Sequence, residues 1–197
     1  MIKTIIFDYA GVLTPTRNKQ NFAQEDHKRF NLQPSELLDI LYKQWDKTAI
    51  GEMSEKDYWK YIGEKLNINP DEIRDLVYAA FPIEERVIKI IDQIKDKYTL
   101  VMVSNQIEDW LEKVIDDNNL RNKFHYFANS YQVGVNKPDK RIFLAALEKS
   151  KSEPEEALFI DDSPENIKSA KELGLNTIQF KTYDQFLREF KKCIDLP

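Results

Sequence analysis

Short runs of mainly apolar residues recur along this chain, and each run has the length of a buried β-strand. They occupy residues 2–7, 100–103, 125–128, 158–160 and 177–180. Amphipathic stretches with helical spacing separate the last four runs. Because parallel strands are joined by helices that cover their sheet, this alternation predicts an α/β fold with a doubly wound parallel sheet.

The segment between the first two runs is far longer than an ordinary crossover connection, so we expect an insertion there. Amphipathic stretches at 34–49, 53–66 and 69–81 predict helices within it. Ser54 and Asn69 are the expected N-caps of the second and third helices, and a further helix over 83–97 returns the chain to the sheet. We therefore predict a small helical-bundle cap at 15–84, inserted into a core formed by 1–14 and 85–197.

Composition narrows the classes of partner. The 197 residues are 42% hydrophobic, enough for one core and a small second domain, and they carry a formal net charge of −5. The chain has no long Lys/Arg block, which argues against nucleic acid or an anionic membrane as a bulk electrostatic partner. Cys193 is the one cysteine, so no intrachain disulfide can form. With no stretch long enough for a signal-peptide core or a bilayer span, the expected location is the cytoplasm.

Polar side chains follow the predicted strands at the points where the strands end. In a doubly wound sheet, ligand-binding and catalytic residues lie just outside the carboxyl ends of the strands. The residues expected there, including one that precedes a predicted helix, are Asp8, Ser104, Asn105, Lys137, Asp161, Asp162 and Ser163. Three carboxylates with a hydroxyl and an ammonium indicate a site for a metal and an anion.

The chemistry of these groups points to magnesium and phosphate. Carboxylate oxygens suit a hard ion such as Mg²⁺, which takes its further ligands from water and from substrate phosphates. Ser104 and Lys137 could then hold the phosphate oxygens, and the ammonium of Lys137 would also offset the repulsion between the carboxylates.

Simpler interpretations exist for several of these residues taken singly. Asp8 could serve a turn, and Lys137 could be solvated. Ser104 and Asn105 could cap the helix that begins near Ile107.

Helix capping does not account for the whole set. Ser163 is expected to be an N-cap because Pro164 follows it. Capping does not explain why the adjacent Asp161 and Asp162 should converge with Asp8 at one edge of the sheet. Carboxylates gathered in this way repel one another, so a cation is expected among them.

Four aromatic residues of the predicted cap have two possible roles. We expect them to form the core of the helical bundle, and any one of them could instead line a substrate pocket; they are Trp45, Tyr58, Trp59 and Tyr61. His27 and His125 have no partner at metal-ligand spacing and are assigned no role.

The order of these motifs resembles the haloacid dehalogenase-like (HAD) hydrolase superfamily. The motifs are Asp8 at the first strand end, "SN" at the second, "NKP" before a helix and "IDDSPENIKSAKELG" at the fourth. The resemblance covers essentially the whole chain and is greatest to the phosphatase-like branch with a helical cap inserted after the first motif. It implies a Rossmann-like core.

The resemblance also implies a role for each motif residue. Asp8 would be a nucleophile that forms an aspartyl-phosphate. Mg²⁺ would be held by Asp8, the carbonyl of Ala10 and Asp162, with Asp161 beside it. The residues that would grip the transferred phosphoryl group are Ser104, the Asn105 amide and Lys137.

Ala10 departs from the family pattern. In phosphatases of this superfamily the residue two after the nucleophile is usually a second Asp, which protonates the leaving oxygen and later activates water. The Ala10 methyl group can do neither. Dehalogenases of the family also lack that Asp, but their fourth motif does not build a metal site of the type that Asp161 and Asp162 indicate.

Two hypotheses of different classes follow. The first is a Mg²⁺-dependent phosphatase that acts on a small phosphorylated metabolite while the cap excludes water. The second is a catalytically impaired relative that binds a phosphorylated ligand or a protein partner. Dehalogenation ranks third.

Overall fold

The parallel sheet predicted from the sequence is present. A computed structural model describes residues 1–14 and 19–195. Its strands are β1 (Thr4–Phe7), β2 (Thr99–Met102), β3 (Tyr126–Phe127), β4 (Ala157–Asp161) and β5 (Asn176–Gln179). They form one parallel sheet in the order β3-β2-β1-β4-β5.

Strand register brings the candidate residues to one edge. Phe7 at the end of β1 pairs with Met102 of β2 and with Ile160 of β4. The residues that follow Phe7, Met102 and Ile160 in the chain therefore lie side by side. Because β1 is central and the chain crosses to β4 on its other side, this edge is the switch point where doubly wound sheets bind ligands.

Helices cover both faces of the sheet. Ile5 and Phe7 belong to one hydrophobic cluster, whereas Ile6 between them belongs to another on the opposite face. This alternation explains why the β1 run is apolar without interruption.

The helices of the described residues fall into a group before β2 and a group after it. The first group is α1 (Lys19–Asp26), α2 (Pro34–Tyr42), α3 (Trp45–Ala49), α4 (Glu55–Leu66), α5 (Pro70–Ala79) and α6 (Glu85–Ile94). The second is α7 (Glu108–Asp117), α8 (Ser130–Val133), α9 (Lys140–Ser150), α10 (Pro164–Glu172) and α11 (Tyr183–Cys193). None of them combines the length and apolar character that a membrane span requires.

Helix starts in the inserted segment agree with the capping residues read from the sequence. The Ser54 hydroxyl accepts a hydrogen bond from the Asp57 N–H, and the Asn69 side chain accepts from Asp71 and Glu72. The predicted helix at 34–49 is divided into α2 and α3. Trp45 begins α3, and its ring packs against the rings of Tyr58 in α4 and Trp110 in α7.

The inserted helices share one hydrophobic cluster with a residue of the sheet-covering layer. Trp110 of α7 is fully buried among rings of the insertion and of its end, which are Trp45, Trp59, Tyr78 and Phe81. The main-chain N–H of Trp110 donates to the Glu55 carboxylate at 3.1 Å. The division into a cap at 15–84 and a core at 1–14 and 85–197 stays a prediction, and its residues 15–18 and 196–197 lie outside the described residues.

Candidate active site

A tight turn follows β1 and presents Asp8. The N–H groups of Leu13 and Thr14 both donate to the Tyr9 carbonyl, at 2.9 and 3.1 Å, and close the turn. The Tyr9 N–H donates to Asp8 Oδ1 at 2.7 Å, which orients the carboxylate. The apolar run of β1 therefore ends on a side chain held at the switch point.

Lys137 bridges two buried carboxylates. Its Nζ lies 2.6 Å from Asp8 Oδ1 and 2.7 Å from Asp161 Oδ2, and it donates to the Val103 carbonyl at 3.2 Å. Only 2% of the lysine side chain is exposed, so the interpretation of Lys137 as a solvated residue is wrong. The ammonium is fixed beside the carboxylate for which the family resemblance implies the role of nucleophile.

The ionisation of this cluster reflects its burial. Burial and the Asp161 carboxylate raise the pKa of Asp8 well above its ordinary value, and Lys137 opposes this increase. Burial alone would lower the pKa of Lys137, but Asp161 and Asp8 reverse the effect and raise it, so the ammonium stays charged. A further cation near Asp8 would favour its ionised, nucleophilic form.

The Asn105 side chain positions Lys137. Its amide donates to the Lys137 carbonyl at 2.9 Å, and its oxygen accepts from the Lys137 N–H at 2.7 Å. Both polar atoms of the Asn105 side chain are thus bonded to the Lys137 main chain and do not point to a ligand. Only the main chain of Asn105 is then free to contact a phosphoryl group.

Ser104 has an unused hydroxyl. Its side chain is buried, and its Oγ has no hydrogen-bond partner among the described residues. Helix α7 is capped by Ile107 without a side-chain hydrogen bond, so the interpretation of Ser104 and Asn105 as helix caps is wrong. A buried hydroxyl without a partner carries a free-energy cost that a ligand oxygen would offset.

Asp161 is held from three sides. Besides Lys137, it accepts hydrogen bonds from Asn166 Nδ2, at 3.0 and 3.1 Å to its two oxygens, and from the Ser163 N–H at 2.8 Å. Ser163 also caps α10 through the Asn166 N–H, as predicted. Asn166 is a site residue that the sequence patterns did not predict, although it stands in the same "DDSPEN" motif.

Asp162 completes a group of three carboxylates. One oxygen from each of Asp8, Asp161 and Asp162 lies within 4.8 Å of the others, and Asp162 is the exposed member. The three carboxylates outnumber the ammonium of Lys137, and oxygen ligands of this kind suit Mg²⁺. The arrangement therefore fits the ion expected from the sequence. Since Asp161 is already bound by three groups, Asp8 and Asp162 are the carboxylates best placed to hold it.

Gly11 provides the space that Asp162 occupies. Its φ is +98°, and a Cβ at this position would lie 2.3 Å from the Asp162 Cγ. We expect Gly11→Ala to displace the Asp162 carboxylate and to weaken Mg²⁺ binding about tenfold or more, with a stability loss of about 1–3 kcal/mol from the positive φ. Calorimetric titration with Mg²⁺ measures the first effect and thermal unfolding the second.

Gly51→Ala is the matched control for that substitution. Gly51 has a φ of +82° but nothing within 4 Å of its added Cβ. It should therefore show a similar stability loss with unchanged Mg²⁺ affinity. Equal Mg²⁺ affinities in the two variants would contradict the role given to Gly11.

A cavity of about 280 Å³ adjoins Asp8 and Asp162. Its lining includes site residues and residues of the inserted helices: Asp8, Ala10, Lys19, Gln20, Tyr42, Trp45, Phe81, Ser104, Asn105, Gln106, Trp110, Lys137, Asp162, Ser163 and Asn166. Of the four cap aromatics, Trp45 is in this lining. Tyr58 and Trp59 are buried in the helical bundle, and Tyr61 packs against its core. The volume suits a small ligand.

Comparison with known proteins agrees with this geometry. The model of the haloacid dehalogenase-like hydrolases matches residues 2–174. The chain belongs to this family. Among curated HAD relatives, the Bifunctional epoxide hydrolase 2 of Rattus norvegicus is 29% identical over 176 residues, which cover 81% of this chain. They cover 30% of the rat protein, so this chain spans about a third of that relative's length.

Other HAD relatives are similar along nearly their whole length. The D-ribitol-5-phosphate phosphatase of Bacteroides thetaiotaomicron is 26% identical over 191 residues, covering 91% of this chain and 92% of that protein. The HAD family enzyme bt-2542 of the same organism superposes with a TM-score of 0.82 at 24% identity, over 96% of this chain and 98% of that one. Its wild-type complex with magnesium and inorganic phosphate has a TM-score of 0.74 at 25% identity, over 96% and 100% of the two chains.

Proposed function

We propose that this chain is a Mg²⁺-dependent phosphatase of small phosphorylated metabolites that works through an aspartyl-phosphate on Asp8. The observation that carries the proposal is the placement of a buried carboxylate, a bridging ammonium and an unpartnered hydroxyl around one cavity. The similarity to a phosphatase and to an enzyme crystallised with magnesium and phosphate supports it.

In this mechanism Asp8 attacks the phosphorus atom of the substrate. Lys137 and the Tyr9 N–H both bind Oδ1, so we assign the attack to Oδ2. The new bond joins Oδ2 to phosphorus while the bond from phosphorus to the leaving oxygen breaks. Water then attacks the aspartyl-phosphate, which releases inorganic phosphate and restores the Asp8 carboxylate.

Stabilisation of the phosphoryl group is assigned to three groups. The Lys137 ammonium, whose three N–H donors are bonded to Asp8, Asp161 and Val103, contributes positive charge. The Ser104 hydroxyl offers a free donor, and the main chain of Asn105 follows it in the chain. Mg²⁺, held by Asp8, the Ala10 carbonyl and Asp162, would supply positive charge to the phosphoryl oxygens. Removing one fixed hydrogen-bond donor from an oxyanion site costs about 2.7–4 kcal/mol of transition-state stabilisation.

Binding of a phosphorylated ligand without turnover is the second candidate. Ala10 favours it, because the methyl group supplies neither an acid for the leaving oxygen nor a base for water. Hydrolysis of 4-nitrophenyl phosphate separates the two candidates, since its leaving group needs little protonation. We expect turnover with Mg²⁺ and none with excess chelator; binding of phosphate without any turnover would favour the second candidate.

The metal site is tested with Asp162→Asn. We expect wild type to gain about 2.7 kcal/mol of stability when Mg²⁺ is present at a hundred times its dissociation constant. The variant should lose this gain together with Mg²⁺-dependent turnover. In chelator it should melt no lower than wild type, because a repelling carboxylate has been removed. Thermal unfolding with and without Mg²⁺ measures both effects.

The control for the metal test is Asp39→Asn, which changes an exposed carboxylate of α2 outside the cavity lining. It should respond to Mg²⁺ as wild type does. A wild-type melting temperature that is indifferent to millimolar Mg²⁺ would count against the site.

A further inference from the structure

Lys19 is a buried cation that the phosphatase mechanism does not use. It is the first residue of α1 and is 5% exposed, and its Nζ has no hydrogen-bond partner among the described residues. It lines the same cavity as Asp8 and Ser104. A charged group in this position is costly unless something in the cavity binds it.

The surroundings of Lys19 are mainly aromatic. Its Nζ lies 2.6 Å from the centroid of the Trp45 ring and 4.6 Å from that of Tyr42. Burial lowers the pKa of the ammonium, and the charge of Asp46 opposes this shift. Cation–π contacts with these rings recover part of the lost hydration but leave the N–H donors free.

Two lysine side chains line the cavity at different places. Among its described lining residues, Lys137 serves the phosphoryl site and Lys19 is the remaining cation. Lys19 offers a single point charge, with Gln20 the adjacent polar side chain of the same helix. This set suits a singly charged group better than a second phosphate, for which several donors are usual.

We infer that Lys19 binds a carboxylate on the substrate, at the end away from the transferred phosphoryl group. This inference rests on the proposed phosphatase function and narrows its substrate class to small phosphate esters that carry a carboxylate. The cavity volume of about 280 Å³ is compatible with a molecule of this size.

A pair of aryl phosphates tests the inference. The probes are 3-carboxyphenyl phosphate and 3-carbamoylphenyl phosphate, which have nearly the same shape but differ in charge at the ring substituent. We expect wild type to prefer the carboxylate by about 10- to 100-fold in kcat/KM, as for a hydrogen bond between charged groups. In Lys19→Met the preference should disappear, while turnover of the carbamoyl compound stays within about threefold of wild type.

Lys43→Met is the matched control, because Lys43 is an exposed lysine of the same inserted segment. It should keep the full preference for the carboxylate. Lys19→Met should melt at a higher temperature than wild type, since it removes an unpartnered buried charge. If Lys19→Met does not fold, Lys19→Gln gives the same comparison with an uncharged side chain.

Three results would overturn the inference. They are equal kcat/KM values for the two compounds in wild type, a preference that survives in Lys19→Met, and an equal loss of turnover on both compounds in that variant. The last would show that Lys19 acts on the reaction itself.

Failure of the phosphatase proposal gives a different result. Wild type would then hydrolyse neither compound with Mg²⁺ present. Calorimetric binding of the two intact compounds decides the Lys19 inference in that case. Tighter binding of the carboxylate by wild type, lost in Lys19→Met, supports it, and equal binding contradicts it.

Discussion

Asp8→Asn should abolish hydrolysis of every phosphate ester that wild type accepts, with a loss of about 10⁴-fold or more. The amide is a poor nucleophile, so the bond to phosphorus cannot form. The fold should persist, because Lys137 keeps Asp161 as a buried partner at 2.7 Å and these two buried charges are matched, while Asp162 is exposed. Phosphate release and circular dichroism measure the two effects.

The control for this substitution is Asp39→Asn, which should leave turnover unchanged. Asp8→Asn should also fail to form a covalent phosphoenzyme from a substrate with a good leaving group, whereas wild type should form one. Hydrolysis above about 1% of the wild-type rate in Asp8→Asn would show that another group attacks phosphorus.

Ala10→Asp should increase turnover of alkyl phosphates by about 10²- to 10⁴-fold, the usual worth of a positioned general acid. The benefit is largest when the leaving alkoxide is strongly basic, so aryl phosphates should gain much less. Wild type should accordingly show a steep dependence of rate on the pKa of the leaving group. Since Ala10 lines the cavity, the longer side chain has space to extend into it.

Wild type should also accumulate phosphoenzyme. The residue that Ala10 replaces would have activated water for the second step, so a burst of leaving group is expected before steady state. Ala10→Asp should shrink this burst, and Ala10→Asn, which has the same shape without an acid, should not. A flat leaving-group dependence in wild type, with no gain in Ala10→Asp, would mean that another group supplies the proton.

The parts of the site that depend on strand ends could be predicted from the sequence. Asp8, Ser104 and Asp161 follow or end apolar runs, and parallel strands bring their carboxyl ends to one edge. Ser54 and Asn69 mark helix starts for local reasons, since each side chain bonds to its own first turn. Such features need no knowledge of the tertiary packing.

Features that depend on packing between distant segments could not be predicted. The sequence does not predict helix α1, because Phe22 and Ala23 are its only buried apolar residues, which is too few for an amphipathic pattern. Lys19 stands in a polar stretch, and its burial follows from the packing of α1 near Trp45. The role of Asn105 depends on the Lys137 backbone, 32 positions away in the chain.

The burial of Trp110 among the inserted helices affects how ligands enter and leave. A wide rotation of those helices away from the sheet would separate Trp110 from Tyr78, whose ring stacks on it with centroids 4.7 Å apart. It would also break the hydrogen bond between Glu55 and the Trp110 N–H. Exposing these rings costs several kcal/mol, so entry past the exposed lining residues Tyr42 and Asp162, with the helices in place, is the less costly route.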